Sequence, residues 1–120
     1  MPKSPVIAFN IDEENEIASI SVDDKTYAFL YDFEAIQTFF LTRRFIPEIA
    51  TMGMDPNNWS ALIWSGLLHG EPELKLETVI SWFNSVTIVE LYRGAWDAWT
   101  LGQPKKVEED EEKPGNPPSA

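Results

Sequence analysis

The chain of 120 residues contains no cysteine and a single histidine, His69. A disulfide framework and a thiol active site are thereby excluded, and an oxidising compartment is not required. With so little material for a nucleophile-base constellation, and no glycine-rich phosphate loop, neither an enzyme nor a cofactor is expected. Basic residues are also scarce, 9 against 20 acids, for a net charge of −11. That balance argues against nucleic acid or an anionic membrane as partner and favours solubility. No apolar run reaches the roughly 18–20 residues that span a bilayer, and the N-terminus shows no signal-peptide apolar region. A soluble intracellular protein without internal repeats is the expectation.

What the chain does have is a hydrophobic content of 43%, enough for one modest core. From Pro104 onward the sequence is charged and proline-rich with one aliphatic residue, Val107, so it is expected to be disordered. Without the three lysines and five acids of that tail, 6 basic and 15 acidic residues remain, a net charge of −9. Acidity therefore belongs to the domain. The division reads as a single α+β domain over residues 1–103 and an acidic tail over 104–120.

Val6 to Asn10 and Glu16 to Val22 favour strands, joined through the polar cluster Asp12-Glu13-Glu14-Asn15. Ala18, Ile20 and Val22 alternate with Ser19 and Ser21, and Tyr27, Phe29 and Tyr31 continue the period of two after Asp23-Asp24-Lys25. A β-hairpin or small antiparallel sheet is expected there. About four helices follow. Asp32 is a good N-cap for the first, with a core stripe of Phe33, Ile36 and Phe40. After a loop through Met52, Gly53, Met54, Asp55 and Pro56, a central helix is expected from its cap Asn58 to His69, with Gly70 taking a left-handed backbone. Its apolar residues fall on both faces: Trp59, Leu62, Ile63 and Gly66 on one, Trp64 and Leu68 on the other. Such a helix must be covered on two sides. A third helix is expected over Leu76 to Phe83. Thr87-Ile88-Val89-Glu90 then reads as a capping box, with Val86 and Leu91 as its hydrophobic staple. The fourth helix turns Ile88, Leu91, Tyr92, Ala95 and Trp99 inward and ends at Gly102 and Pro104.

Candidates for chemistry are thin. His69, Glu71 and Glu73 offer three donors, but across a helix stop they lack the spacing of a metal site, and a solvated turn is the simpler reading. Asp12, Glu13, Glu14 and Glu16 lack the glycine and terminal glutamate of a calcium loop. Aromatics are more informative, since five Trp, seven Phe and three Tyr exceed what four short helices and a hairpin need. Leu41, Phe45, Trp64, Leu68, Trp82 and Trp96 lie off the main stripes of their helices and are the candidate anchors of a partner-binding surface.

The run Ala61-Leu62-Ile63-Trp64-Ser65-Gly66-Leu67-Leu68-His69, followed by Glu71-Pro72-Glu73-Leu74-Lys75-Leu76-Glu77-Thr78-Val79, resembles the helix-turn-helix signature of tail assembly chaperones of long-tailed bacteriophages and related tail-like particles. The match covers about twenty residues, and extends loosely upstream to Lys25-Thr26-Tyr27 and to the helix start at Asp32. Ser65 stands where alanine is usual and Lys75 where a threonine cap is usual, so the third helix should be less well capped. The resemblance implies a protein without active site or cofactor that keeps the helical, aggregation-prone tape measure protein soluble in the host bacterial cytoplasm. It also implies contact with the tail tube protein as a further possibility, and absence from the mature virion. Many members also have a longer, frameshifted form, for which Lys105-Lys106 is the candidate place. A second class is an acidic decoy or inhibitor that presents carboxylates to a basic site, which would need its acids in rows on a folded face.

Overall fold

The computed structural model describes residues 5–103; the expected tail over 104–120 lies outside the described residues. Three strands come first, β1 (Ile7–Asp12), β2 (Ile17–Val22) and β3 (Lys25–Ala28), then five helices, α1 (Phe33–Arg43), α2 (Ile49–Met52), α3 (Pro56–Leu67), α4 (Leu76–Ile80) and α5 (Ile88–Leu101). The architecture is α+β, with an antiparallel sheet in the order β1-β2-β3. Its register sets Ile7 opposite Val22, Phe9 opposite Ile20, Ile11 opposite Ala18, and Ile20 opposite Tyr27. Because side chains alternate between faces, these residues share one face, and that face meets the helices. The β1–β2 turn is held by Asp12, whose carboxylate accepts from the side chain and backbone of Asn15 and is thereby held below the usual carboxylate range.

The central helix is as two-sided as its composition demands. Nine of the twelve residues of α3 are buried, which a helix lying on the outside of a bundle could not achieve. It is covered by α1, α4, α5 and β3. The strand-like chain after β3 leads onto it, the Leu30 amide donating to the Gly66 carbonyl. Tyr31 then lies across Gly66, its hydroxyl donating to the Leu62 carbonyl at 2.6 Å. A Cβ on Gly66 would sit 2.4 Å from the Tyr31 ring, and one on Gly94 of α5 would sit 2.2 Å from the ring of Phe9. Two glycines thus provide the seats for two rings from the sheet side. Phe9, Phe29, Tyr31 and Trp99 form a continuous ladder, with successive centroids 6.1, 5.8 and 5.2 Å apart. Burial alone pushes the Tyr31 phenol well above its ordinary pKa.

Several local expectations are corrected. Asp32 does cap α1, accepting from the Ala35 amide, but the helix buries Ala35 and Phe39 while Phe33 and Phe40 are exposed. The expected stripe is displaced by one position, about 100° of rotation. Small Ala35 permits close approach, and Phe39 meets Phe45 edge-on at 5.3 Å. The loop before α3 contains the short helix α2, and the cap of α3 is Asp55, with Pro56 at the first helical position, rather than Asn58. Asn58 is buried, donating to the Met52 carbonyl and accepting from Arg43. Gly70 does not take a left-handed backbone; Gly53 is the described glycine with positive φ. The third helix stops at Ile80, and Lys75 gives it no side-chain cap, as its departure from threonine implied. Nor does Thr87 form a capping box. Its hydroxyl donates to the Trp82 carbonyl, Asn84 accepts from the Val86 and Thr87 amides, and Val86 is exposed instead of stapled. Among the described residues no helix is long and apolar enough to cross a membrane.

Candidate binding surface

His69 bonds the Ala28 carbonyl through Nε2 at 3.0 Å, a tether between α3 and β3, and no group of three potential metal ligands occurs among the described residues. An open cleft of about 710 Å³ lies between the end of β1 and the end of α5. Asp12, Glu13 and Asp97 line it, with no histidine or base among its described lining residues. It presents charge but no converging chemistry.

A different groove, about 500 Å³, opens between the α2–α3 turn and α5. Its floor is aromatic. Trp59 of α3 stacks on Tyr92 of α5 at 5.0 Å and meets Trp96 edge-on at 6.0 Å. Its rim is aliphatic, with Ile49, Met54 and Val89 all more than half exposed. The turn forming one wall is fixed by side chains from below: Asn58 donates to the Met52 carbonyl, the Trp59 indole to that of Gly53, and the Tyr92 hydroxyl to that of Met54. Three successive carbonyls are thereby satisfied, and the backbone can reverse there because Gly53 adopts φ +56°. The wall is built in advance of any occupant. Partial burial, and then the charge of Asp55, raise the pKa of the Tyr92 phenol, so it stays a neutral donor at physiological pH.

The six residues singled out from sequence do not form one surface. Trp96 lies in the groove. Leu41 and Leu68 line a separate shallow indentation between α1 and the end of α3, beside Leu30 and Ser65. Phe45 is half-buried against Phe39, and Trp64 is half-buried with its indole donating to the Leu74 carbonyl. Trp82 is a correction: it is buried, 5.5 Å from the Tyr27 ring, and belongs to the core. Ile49 and Met54 went unnoticed because each is a single apolar residue outside the expected helices, and Val89 because it reads as part of an expected capping box although Tyr92 and Trp96 share its face.

Compared with protein-family models, with curated proteins and with solved structures, the chain matches none.

Proposed function

We propose that this chain is an acidic binding protein that shields an apolar helical segment of a partner, as a tail assembly chaperone does for a tape measure protein before the tail tube forms around it. The observation that carries the reading is the preformed apolar groove between the α2–α3 turn and α5, floored by Trp59, Tyr92 and Trp96 and rimmed by exposed Ile49, Met54 and Val89. Exposed apolar surface of this kind fits an amphipathic helix, and the net charge of −11 keeps such a surface soluble. The resemblance of residues 61–79 to the chaperone signature supplies the identity of the partner. The buried positions of that signature, Ala61, Leu62, Ile63 and Leu67, support the fold, so contact with the partner falls to the groove. Action in the host cytoplasm, absence from the finished virion and a transient contact with the tail tube protein belong to the same proposal.

The test is co-expression with the product of a neighbouring very long helical reading frame, scoring the soluble fraction of that product. Met54→Ser and Val89→Ser should leave this chain folded, because both residues are exposed, and should lower the partner's solubility. Equal partner solubility with the native chain and with both variants would refute the reading. The acidic-decoy reading draws on the cleft faced by Asp12, Glu13 and Asp97. It predicts the opposite pattern, with loss of binding on Asp12→Asn and Glu13→Gln and none on Met54→Ser.

A further inference from the structure

One edge of the sheet keeps its backbone groups turned outward. The Asp23 amide donates to the Val6 carbonyl, and the Phe29 amide to the Ala18 carbonyl. Bonded and non-bonded pairs alternate along an antiparallel ladder, and both bonds fix the same phase. Ala8 and Asn10 turn their amides and carbonyls toward β2, while Ile7, Phe9 and Ile11 turn theirs away from the sheet. No described residue bonds those outward groups. At the opposite edge the Ala28 carbonyl is engaged by His69. Helix α5 runs beneath the β1 edge. Glu90, Gly94, Asp97 and Leu101 recur at i, i+4, i+7 and i+11 and form one row, and Gly94 seats the Phe9 ring. An opening flanks that contact on each side. One, of about 380 Å³, is lined by Ile7, Val86 and Glu90 among others; the other is the cleft of about 710 Å³ lined by Ile11, Asp12, Glu13 and Asp97. Each presents carboxylate and no base among its described lining residues.

We infer that the outer edge of β1 takes up an extended, basic segment of another protein as a fourth, antiparallel strand. This stands independently of the groove. The outward amides and carbonyls of Ile7, Phe9 and Ile11 are a template for strand addition. Every second side chain of the added strand falls on the face shared with Phe9, above α5. Ile7 to Ile11 spans about 13 Å of strand and Glu90 to Asp97 about 10 Å of helix, so the two lengths correspond. A segment with cations at its first and fifth positions and an apolar residue at the third therefore meets both carboxylate-lined openings and rests beside Phe9. A second copy of this chain is the wrong occupant. Antiparallel pairing of β1 with itself about Phe9 would set Glu90 of each copy against Asp97 of the other, between chains of net charge −11. The carboxylates that guard the edge against self-pairing thus select a basic strand.

Two synthetic peptides test this against the full chain by fluorescence anisotropy. Both alternate threonine with three inward residues, lysine, valine and lysine in one, glutamate, valine and glutamate in the other. At low salt the lysine peptide should bind about tenfold tighter, since two exposed pairs each contribute about threefold. Glu90→Gln with Asp97→Asn, both exposed, should shrink that preference, and Met54→Ser in the groove should leave it unchanged. An N-methyl group on the valine amide, which faces the Phe9 carbonyl, should abolish binding, whereas one on a neighbouring threonine amide should be tolerated. By NMR hydrogen exchange, the amides of Ile7, Phe9 and Ile11 should exchange faster than those of Ala8 and Asn10 in the free chain and slow with saturating lysine peptide. Equal affinity of the two peptides at low salt overturns the charge selection. Binding that ignores which amide is methylated, leaves those three amides unprotected or weakens with Met54→Ser overturns strand addition. Absence of binding by either peptide, or slow exchange at the three amides in the free chain, overturns the edge as a docking site.

Discussion

Two aromatic assemblies flank the central helix, and they differ in what closes them. On one side the ladder Phe9–Phe29–Tyr31–Trp99 runs between the sheet and α5, with Tyr31 and Trp99 buried, Phe9 and Phe29 half-buried, and Gly66 and Gly94 clearing space for two of its rings. On the other, buried Trp59 meets half-buried Tyr92 and Trp96 at similar distances, no strand covers the latter two, and exposed Ile49, Met54 and Val89 stand around the opening. Ring chemistry is the same in both. The teaching is that aromatic content does not distinguish core from contact surface; the presence or absence of a covering layer does.

The comparison breaks most visibly at Trp82, which closes against Tyr27 on the sealed side. Trp82→Ser should cost about 3–5 kcal/mol in denaturant unfolding, as removal of a buried indole does. A loss under about 1 kcal/mol would return this residue to the surface. Next comes Gly66→Leu, where the new side chain must displace the Tyr31 ring and its bond to Leu62; about 1–3 kcal/mol of destabilisation is expected. A melting temperature at or above that of the native chain would contradict the close approach.

Alkaline pH probes the same seal with a smaller effect. Burial raises the folded pKa of Tyr31 above the value of 10.0 that the unfolded chain has, so its contribution is fully present below pH 10. It is lost as pH climbs from there toward the folded value, because the unfolded chain releases the proton first. One group changes stability by at most about 1.4 kcal/mol per pH unit, so the loss just above pH 10 stays modest. Tyr31→Phe should show a shallower decline over that range in pH-dependent melts; an unchanged slope would mean that the phenol is not sealed. Smallest of all is Val89→Ser on the open side. Val89 is 62% exposed and lies in the first turn of α5, so its replacement should shift stability by about 0.5 kcal/mol or less. A shift above about 1.5 kcal/mol would show that the groove is closed in solution.

How far the sequence could be read depended on whether a signal was local. The alternation in β2 and the capping Asp32 were legible because a strand's period and a helix cap involve neighbours in the chain. The orientation of α1 was not. Phe33, Ile36, Phe39, Phe40 and Leu41 place apolar groups on more than one side, and only contact with α3 selects Ala35 and Phe39 for burial. Thr87 failed as a cap for a related reason, since the Trp82 carbonyl engaged its hydroxyl across the turn. Of the groove only Trp96 was legible, because the rest is assembled from separate segments, residues 49–54, 59 and 89–97.

By itself the sequence determined that the chain is acidic, lacks thiol chemistry, begins with a small sheet and builds its helices around one whose two faces are both apolar. Those properties follow from composition and from periods of two and 3.6 residues, which need no knowledge of distant contacts. Which aromatics are sealed and which stay open was decided by tertiary structure alone. Tyr31 is covered because β3 delivers it onto Gly66, while half-buried Tyr92 and Trp96 border an opening because the Gly53 turn and α5 leave space between them that no other described element fills.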